Sequence, residues 1–435
     1  MNFTNLLNYP QISYGAGSST TIIDQGLSGG LLPPGQYAFA VARDDSIYLA
    51  RDPIGSNKLF YGYNSKGQFV AGSRLVHVWR CGIALDDIRS CPPGRVLAIV
   101  GNDIQKVGGA DLSSMPPDTN FDLGEFRAGV RWALTEVFNW LAHEFENHRI
   151  VVCLSGGLDS SVVASLARAS FANVTAACFT YLDTNDVRFY ALGTTADNLA
   201  SASEDFRCAR RVAESLDMPL LAVVRSREAV ASAVTASVRL CQDWRDFNVH
   251  CATVNLFLAQ DIRAAFPNEK IVVLTGDLMN EYVCDYHTEQ VGDRAYYKIP
   301  RIPVDKRRKH FVRGLDSSDR EIGVFWAYGL TVCQPFAAVA DRYMRIPAAV
   351  LEQPDVKWEL NGSLLSPAVS AYVSREKTRA QVGGKDLGTL GIYHQLGIGD
   401  QHLQYAWRSQ FPGESAASCD SFIQFGRYRS PQPIV

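Results

Sequence analysis

Between residues 36 and 110 the apolar positions alternate with polar ones in short runs cut by tight turns. Tyr37-Ala-Phe-Ala-Val41, Ser46-Ile-Tyr-Leu-Ala50, Lys58-Leu-Phe-Tyr-Gly-Tyr63, Gln68-Phe-Val-Ala71 and Arg95-Val-Leu-Ala-Ile-Val100 are such runs. Asp44-Asp45, Asp52-Pro53-Ile-Gly55, Gly67 and Pro92-Pro-Gly94 punctuate them. A period of two between turn residues predicts short strands joined into an antiparallel sheet. The polar stretch 108–120, with Met115-Pro-Pro-Asp-Thr inside it, predicts a linker.

After residue 121 the period changes to that of a helix. Phe126, Val130, Leu134, Val137, Phe138 and Leu141 place one apolar stripe along a helix over 121–147. Four apolar runs follow, Arg149–Leu154, Asn173–Tyr181, Pro219–Val224 and Lys270–Leu274. Between them lie helical patterns over 160–170, 204–217 and 253–266. Apolar strands alternating with helices predict a parallel sheet covered on both faces. From about residue 320 the pattern is mostly helical, with a Gly-rich stretch at 383–399. The implied organisation is a β-rich front unit over 1–110, a linker over 111–120 and an α/β unit over 121–435.

Composition narrows the function classes. The 435 residues are 47% hydrophobic, with 42 Lys and Arg against 45 Asp and Glu and a net charge of −3. That balance gives no overall attraction to nucleic acid or to an anionic membrane. No apolar run reaches the roughly 18 residues of a spanning helix. Met1-Asn-Phe-Thr-Asn-Leu-Leu7 has neither the charged nor the apolar region of a secretion signal, so the cytoplasm is the expected location. Ten dispersed cysteines without a CxxC pair read as buried hydrophobes in a reducing compartment.

The chemistry concentrates in Leu154-Ser-Gly-Gly-Leu-Asp-Ser-Ser161, between an apolar strand and a helix. Glycines at 156 and 157 let the backbone approach a phosphate, and a helix start offers unpaired N–H donors. Ser155, Ser160 and Ser161 add hydroxyls, while Leu158 continues into the helix. Asp159 repels a phosphate directly, which implies an intervening cation such as Mg²⁺. The loop is neither a Walker A nor a GxGxxG motif. It predicts a nucleoside triphosphate at the carboxyl end of a parallel strand.

Ser155-Gly-Gly-Leu-Asp-Ser160 resembles the pyrophosphate loop (PP-loop) of the ATP pyrophosphatases, in the version found in asparagine synthetases. Independently, Leu49-Ala-Arg-Asp-Pro-Ile-Gly55, Lys58-Leu-Phe-Tyr61, Ala71-Gly-Ser-Arg74 and Pro92-Pro-Gly94 resemble the amino-terminal glutaminase domain of that family, in the same order. The resemblance implies an α/β fold: a carboxy-terminal parallel-sheet PP-loop synthetase domain behind a truncated, β-rich Ntn-hydrolase-like domain. The family glutaminase uses a cysteine after the initiator methionine; here that position is Asn2, and an amide is no nucleophile. A non-catalytic front domain is therefore expected, as in the glutaminase-deficient β-lactam synthetases.

Further motifs are carried over residue by residue. Thr275-Gly-Asp-Leu-Met-Asn-Glu281 stands where the family has Ser-Gly-Glu-Gly-Ser-Asp-Glu, so Gly276 and Glu281 match. Asp277 replaces a glutamate and Asn280 the second magnesium aspartate, which implies a metal site reorganised around Asp159, Asp277 and Asn280. Thr275 and Phe179 are expected beside the nucleotide. Lys377, in Ser374-Arg-Glu-Lys-Thr-Arg-Ala-Gln-Val-Gly-Gly384, resembles the lysine that stabilises charge on the adenylate and pyrophosphate. In Phe325-Trp-Ala-Tyr-Gly-Leu-Thr-Val-Cys-Gln-Pro-Phe336 the family arginine is replaced by Cys333. Glu321 or Asp319 falls near a glutamate that partners a catalytic tyrosine; the stretch reads equally as a solvated helix start. Lys306-Arg-Arg-Lys-His310 reads as a solvated loop.

The expected reaction uses ATP and Mg²⁺ to adenylate a small-molecule carboxylate, which an amine or ammonia then attacks to give an amide in specialised metabolism. Lys377, Asp277, Glu281 and Glu321 are the candidate catalytic residues, and a homodimer is compatible with the sequence. Two alternatives stay open at this stage: an ammonia-dependent asparagine synthetase, and a silent nucleotide-binding scaffold.

Overall fold

The computed structural model describes residues 3–181, 203–284, 289–291, 294–296, 303–316, 318–353, 355–373, 393, 396–424 and 427–430. The front half holds two four-stranded sheets. One is built from β1 (Phe3–Leu6), β4 (Phe60–Tyr63), β5 (Phe69–Gly72) and β6 (Arg89–Ser90), in the order β1-β5-β4-β6. The other joins β2 (Ala38–Arg43), β3 (Ser46–Arg51), β7 (Arg95–Val100) and β8 (Asp103–Gly109), in the order β2-β3-β7-β8. The alternation pays out as packing. Ile47, Leu49, Leu97 and Ile99 of the second sheet meet Tyr61, Phe69 and Ala71 of the first. Val96 and Ala50 point the opposite way, onto Ile22 and Ile23 of the helix Ser19–Leu27.

Three elements depart from the sequence reading. β1 pairs parallel with β5, so the sheet is mixed rather than purely antiparallel. β8 runs through residues assigned to the linker, because Gly108 and Gly109 close a ladder against Arg95 and Val96. The helix Ser19–Leu27 has only Ile22, Ile23 and Gly26 buried, too short a stripe to show a helical period.

The second half is built on a five-stranded parallel sheet. Its strands are β9 (Arg149–Cys153), β10 (Val174–Tyr181), β11 (Leu220–Arg225), β12 (Ile271–Leu274) and the edge strand Thr331–Cys333. The order is β11-β10-β9-β12 followed by that edge strand, all neighbours parallel. Alternate residues serve opposite faces. Ile150, Val152, Val272 and Leu274 join one core with Val130, Leu134, Phe138 and Leu141 of the helix Leu123–Glu144. Val151, Ile271 and Val273 join the other, with Leu256, Ala259 and Ile262 of the helix Asp246–Ala265. Asp122 caps the first of these helices by accepting the N–H of Glu125 at 2.8 Å. The edge strand was not read from sequence; three residues carry too little pattern. After residue 320 short helices dominate, as expected.

The halves share a core and a buried polar seam. Phe60 and Val70 of the first front sheet pack in the same cluster as Phe325, Trp407 and Tyr428. Arg51, fully buried, donates to Asn57 O at 2.7 Å, Gly55 O at 2.7 Å and Cys91 O at 2.9 Å, and forms an ion pair with Asp316. Tyr9 donates its hydroxyl to Asp319 Oδ2 at 2.5 Å, and Gln242 Nε2 donates to the same oxygen at 2.9 Å. The acidic stretch is thus interior, not a solvated helix start: Asp316, Asp319 and Glu321 are all buried. The basic cluster at 306–310 is likewise part of a helix, Val304–Gly314, rather than a loop. Arg308 turns inward and donates to Tyr343 O at 3.1 Å and Ile346 O at 2.8 Å. All ten cysteines are free thiols, buried or half-buried. Among the described residues no helix is long and apolar enough to cross a membrane.

Candidate functional site

In chain order the first strand of the parallel sheet is β9, with β10 and β11 to one side and β12 to the other. The crevice between β9 and β12 is therefore the point where strand order reverses, the place where open α/β sheets bind ligands. Two loops leave the sheet there.

The first is the Ser/Gly loop. Leu154 prolongs β9, its N–H donating to Ala177 O at 2.9 Å. Ser155 N–H donates to Ser160 Oγ at 3.2 Å, the two hydroxyls lie 3.1 Å apart, and Ser160 Oγ donates to Gly157 O at 3.1 Å. Gly156 has φ +74°, and a Cβ there would lie 2.5 Å from both Ala209 N and Cys208 Cβ. Glycine is the residue this backbone accepts. The helix Leu158–Ser170 starts at Gly157 with no side-chain cap from that residue, and its first turn of N–H groups lies at the crevice end of the sheet. Ser161 is fully buried and its hydroxyl has no hydrogen-bond partner among the described residues. Phe179 lies inside the core, stacked on Phe257 with centroids 6.1 Å apart.

The second loop follows β12. Gly276 passes so close to the first that a Cβ would lie 2.6 Å from Ser160 N and 2.8 Å from the Asp159 carbonyl carbon. Thr275 Oγ1 donates to Glu321 Oε2 at 3.2 Å, and Gln334 Nε2 donates to the same oxygen at 2.6 Å. Burial pushes the Glu321 carboxyl well above the usual carboxylate range. The Asp277 carboxyl, hydrogen-bonded to it, pushes in the same direction. Glu281, on the short helix Met279–Val283, pairs with Arg320 at 3.3 Å.

The loops are tied together by a residue the sequence reading missed. Lys357 Nζ lies 2.5 Å from Asp159 Oδ2 and donates to Asn280 Oδ1 at 2.7 Å. Asp159 and Asn280 thus meet around an ammonium. Asp277 is grouped with Glu321 instead. A Mg²⁺ ion needs oxygens at about 2.0–2.1 Å, and the corner between Asp159 and Asn280 is filled. The donor set does not fit a divalent ion held there by the protein. Lys357 sits in Pro354-Asp-Val-Lys-Trp358, with no motif around it. The available signal was the neutral Asn280 beside Asp159, which leaves room for one positive charge. Lys377 falls outside the described residues.

Gln334 was also missed. Its side chain accepts from Ser56 Oγ at 2.9 Å while donating to Glu321, so a front-half serine reaches the carboxyl pair through one residue. Gln334→Leu should cost about 1–3 kcal/mol by stranding the buried Glu321 carboxyl, with the half-buried Ser56 hydroxyl losing its acceptor as well. A thermal melt reads this directly, and an unshifted melting temperature would mean the ladder carries no energy.

Residues 143–363, just over half of the chain, match the asparagine synthase family. The chain belongs to that family. This asparagine synthase family member is an ATP-using ligase that forms amide bonds. Among solved structures it is similar to the NMN synthetase from Francisella tularensis, at 12% identity over 73% of this chain and 100% of that one, TM-score 0.33. It is also similar to the NH3-dependent NAD synthetase from Campylobacter jejuni subsp. jejuni NCTC 11168, at 15% identity over 35% of this chain and 56% of that one, TM-score 0.22. No curated protein sequence matches the chain significantly.

Proposed function

We propose that this ligase adenylates a small-molecule carboxylate with ATP, releases pyrophosphate, and passes the acyl group to an amine or ammonia without hydrolysing glutamine. The observation that carries the reading is the crevice itself: an uncapped helix start, with Gly156 and Gly276 held where no side chain fits, at the switch point of the sheet. Such a corner receives phosphate oxygens on backbone N–H groups. A carboxylate alone is a poor acyl donor because oxide is a poor leaving group; AMP is a good one.

Each residue then has a task. The Ser155–Ser160 loop positions the β- and γ-phosphates, which aligns the α-phosphorus with the attacking carboxylate oxygen. Asp277, beside the buried Glu321 carboxyl, accepts the proton of the incoming amine as the amide forms. Glu281 holds Arg320 beside them, offsetting their charge. Lys377 remains the proposed stabiliser of charge on the adenylate. The front unit, lacking a nucleophile at Asn2, serves as a support whose Ser56–Gln334 ladder orients Glu321.

Labelled pyrophosphate should exchange into ATP only when the right carboxylic acid of a panel is present. Asp159→Ala should lower that exchange by about 100-fold or more. Exchange that ignores both the acid and the substitution would sink the adenylation reading. Glutamine added alone should yield no glutamate, and its appearance would overturn the view of the front unit.

A further inference from the structure

We propose that the Lys357 ammonium is a resident cation of the phosphate site. It stands between Asp159 and Asn280 in place of a protein-held divalent ion, and it receives an oxygen of ATP or pyrophosphate directly. The proposal rests on the ATP reading of the crevice given above.

Geometry comes first. Nζ lies 2.5 Å from Asp159 and 2.7 Å from Asn280, so one cation bridges the loop after β9 and the loop after β12. Charge agrees with that placement. Asp159 carries −1, the Asn280 amide nothing and Lys357 +1, so these three groups sum to zero. A second carboxylate at position 280 would leave it negative and would favour a divalent ion; an amide removes that need. The side chains of Lys357 and Asp159 are each 12% exposed, which screens the pair from bulk water and still leaves it reachable from the crevice.

The lysine is also held in place from outside the site. It rides on the helix Val356–Asn361. Arg127 Nε of the long helix Leu123–Glu144 donates to Glu359 O at 2.6 Å, and its Nη2 meets the Glu359 carboxylate at 2.8 Å. At the other end Asn361 accepts from the Tyr343 hydroxyl and donates to Met279 Sδ at 3.4 Å, next to Asn280. The cation and its amide partner therefore move as one body. A compact, strongly hydrated ammonium is suited to a phosphate oxygen as a point charge. Its position beside the uncapped start of the helix Leu158–Ser170 adds N–H donors to the same anion.

The test is calorimetric titration of the full chain with inorganic pyrophosphate, once in EDTA and once in excess Mg²⁺. The wild type should bind in EDTA. Lys357→Met should weaken that binding by about tenfold or more, the loss of one charged hydrogen bond, and Lys357→Arg should retain most of it. The double variant Lys357→Met/Asn280→Asp should bind only when Mg²⁺ is added, because it restores a two-carboxylate site. Asn280→Asp alone should weaken binding in EDTA; if Lys357→Met fails to fold, this variant and Lys357→Arg decide. Equal binding in EDTA by the wild type and Lys357→Met overturns the proposal, as does wild-type binding seen only with Mg²⁺. Should MgATP bind the wild type and Lys357→Met alike, the ATP reading stands and the assignment of Lys357 falls alone. If neither ATP nor pyrophosphate binds the wild type under any condition, both fall.

Discussion

Gly276→Ala should remove ATP binding while leaving the chain folded. The added methyl would stand 2.6 Å from Ser160 N, 2.8 Å from the Asp159 carbonyl carbon and 2.8 Å from Ser160 Cα. All three are backbone atoms, so no rotamer change relieves the contact. Either the helix Leu158–Ser170 retreats from β12 or the loop after β12 lifts away. A displacement of about 1 Å at an aligned site costs on the order of 100-fold, and here it would part the two loops that Lys357 ties together. Overpacking of this kind costs about 1–3 kcal/mol, which a chain with two large shared cores absorbs. Titration with ATP together with a thermal melt checks both halves of the statement. Binding within about twofold of wild type, by the usual scatter of surface substitutions, would show that the two loops do not form one site.

The second large effect belongs to Arg51. Arg51→Met should destabilise the whole chain by about 3–5 kcal/mol, the range for removing one partner of a buried ion pair. Asp316 would be left buried. Its Oδ2 has no hydrogen-bond partner among the described residues, so the arginine supplies what the carboxylate has. The carbonyls of Asn57 and Cys91 would lose the guanidinium as donor in the same step, while Gly55 O keeps Lys58 Nζ at 2.6 Å. The double variant Arg51→Met/Asp316→Leu should recover much of the loss, since it removes the stranded charge along with its partner. Thermal or denaturant midpoints of the three variants measure this. A single variant as stable as wild type would show that the two halves do not lean on this seam.

These expectations draw on features of unequal legibility. The parallel sheet was readable because its strands are apolar on both faces and separated by helices with a clear stripe, as Val130, Leu134 and Leu141 show. The Ser/Gly loop was readable because its residues are contiguous, so spacing alone suggested the chemistry. Lys357 and Gln334 were not. Lys357 lies far along the chain from Asn280 and Gln334 from Ser56, and a contact across that distance leaves no periodicity. Position within the fold also inverted two readings. Asp319 and Arg308 have the composition of solvated helix residues, yet both are interior, satisfied by Tyr9 and Gln242 in one case and by backbone carbonyls in the other. Charge predicts exposure only when no buried partner waits, and partners are a property of the fold.

The edge strand Thr331–Cys333 gives the front half a structural task. Beside this strand, Gln36 accepts from Gln334 N–H at 2.8 Å and donates to Val332 O at 3.4 Å. Its side-chain amide thus mimics the peptide of a neighbouring strand and closes the sheet without extending it. An open edge is a template for pairing with another chain. Residues 121–435 produced alone would present that edge bare, and self-association through its unpaired backbone is the expected result, read by light scattering. In this chain the front half thereby shields the sheet edge from pairing with another chain.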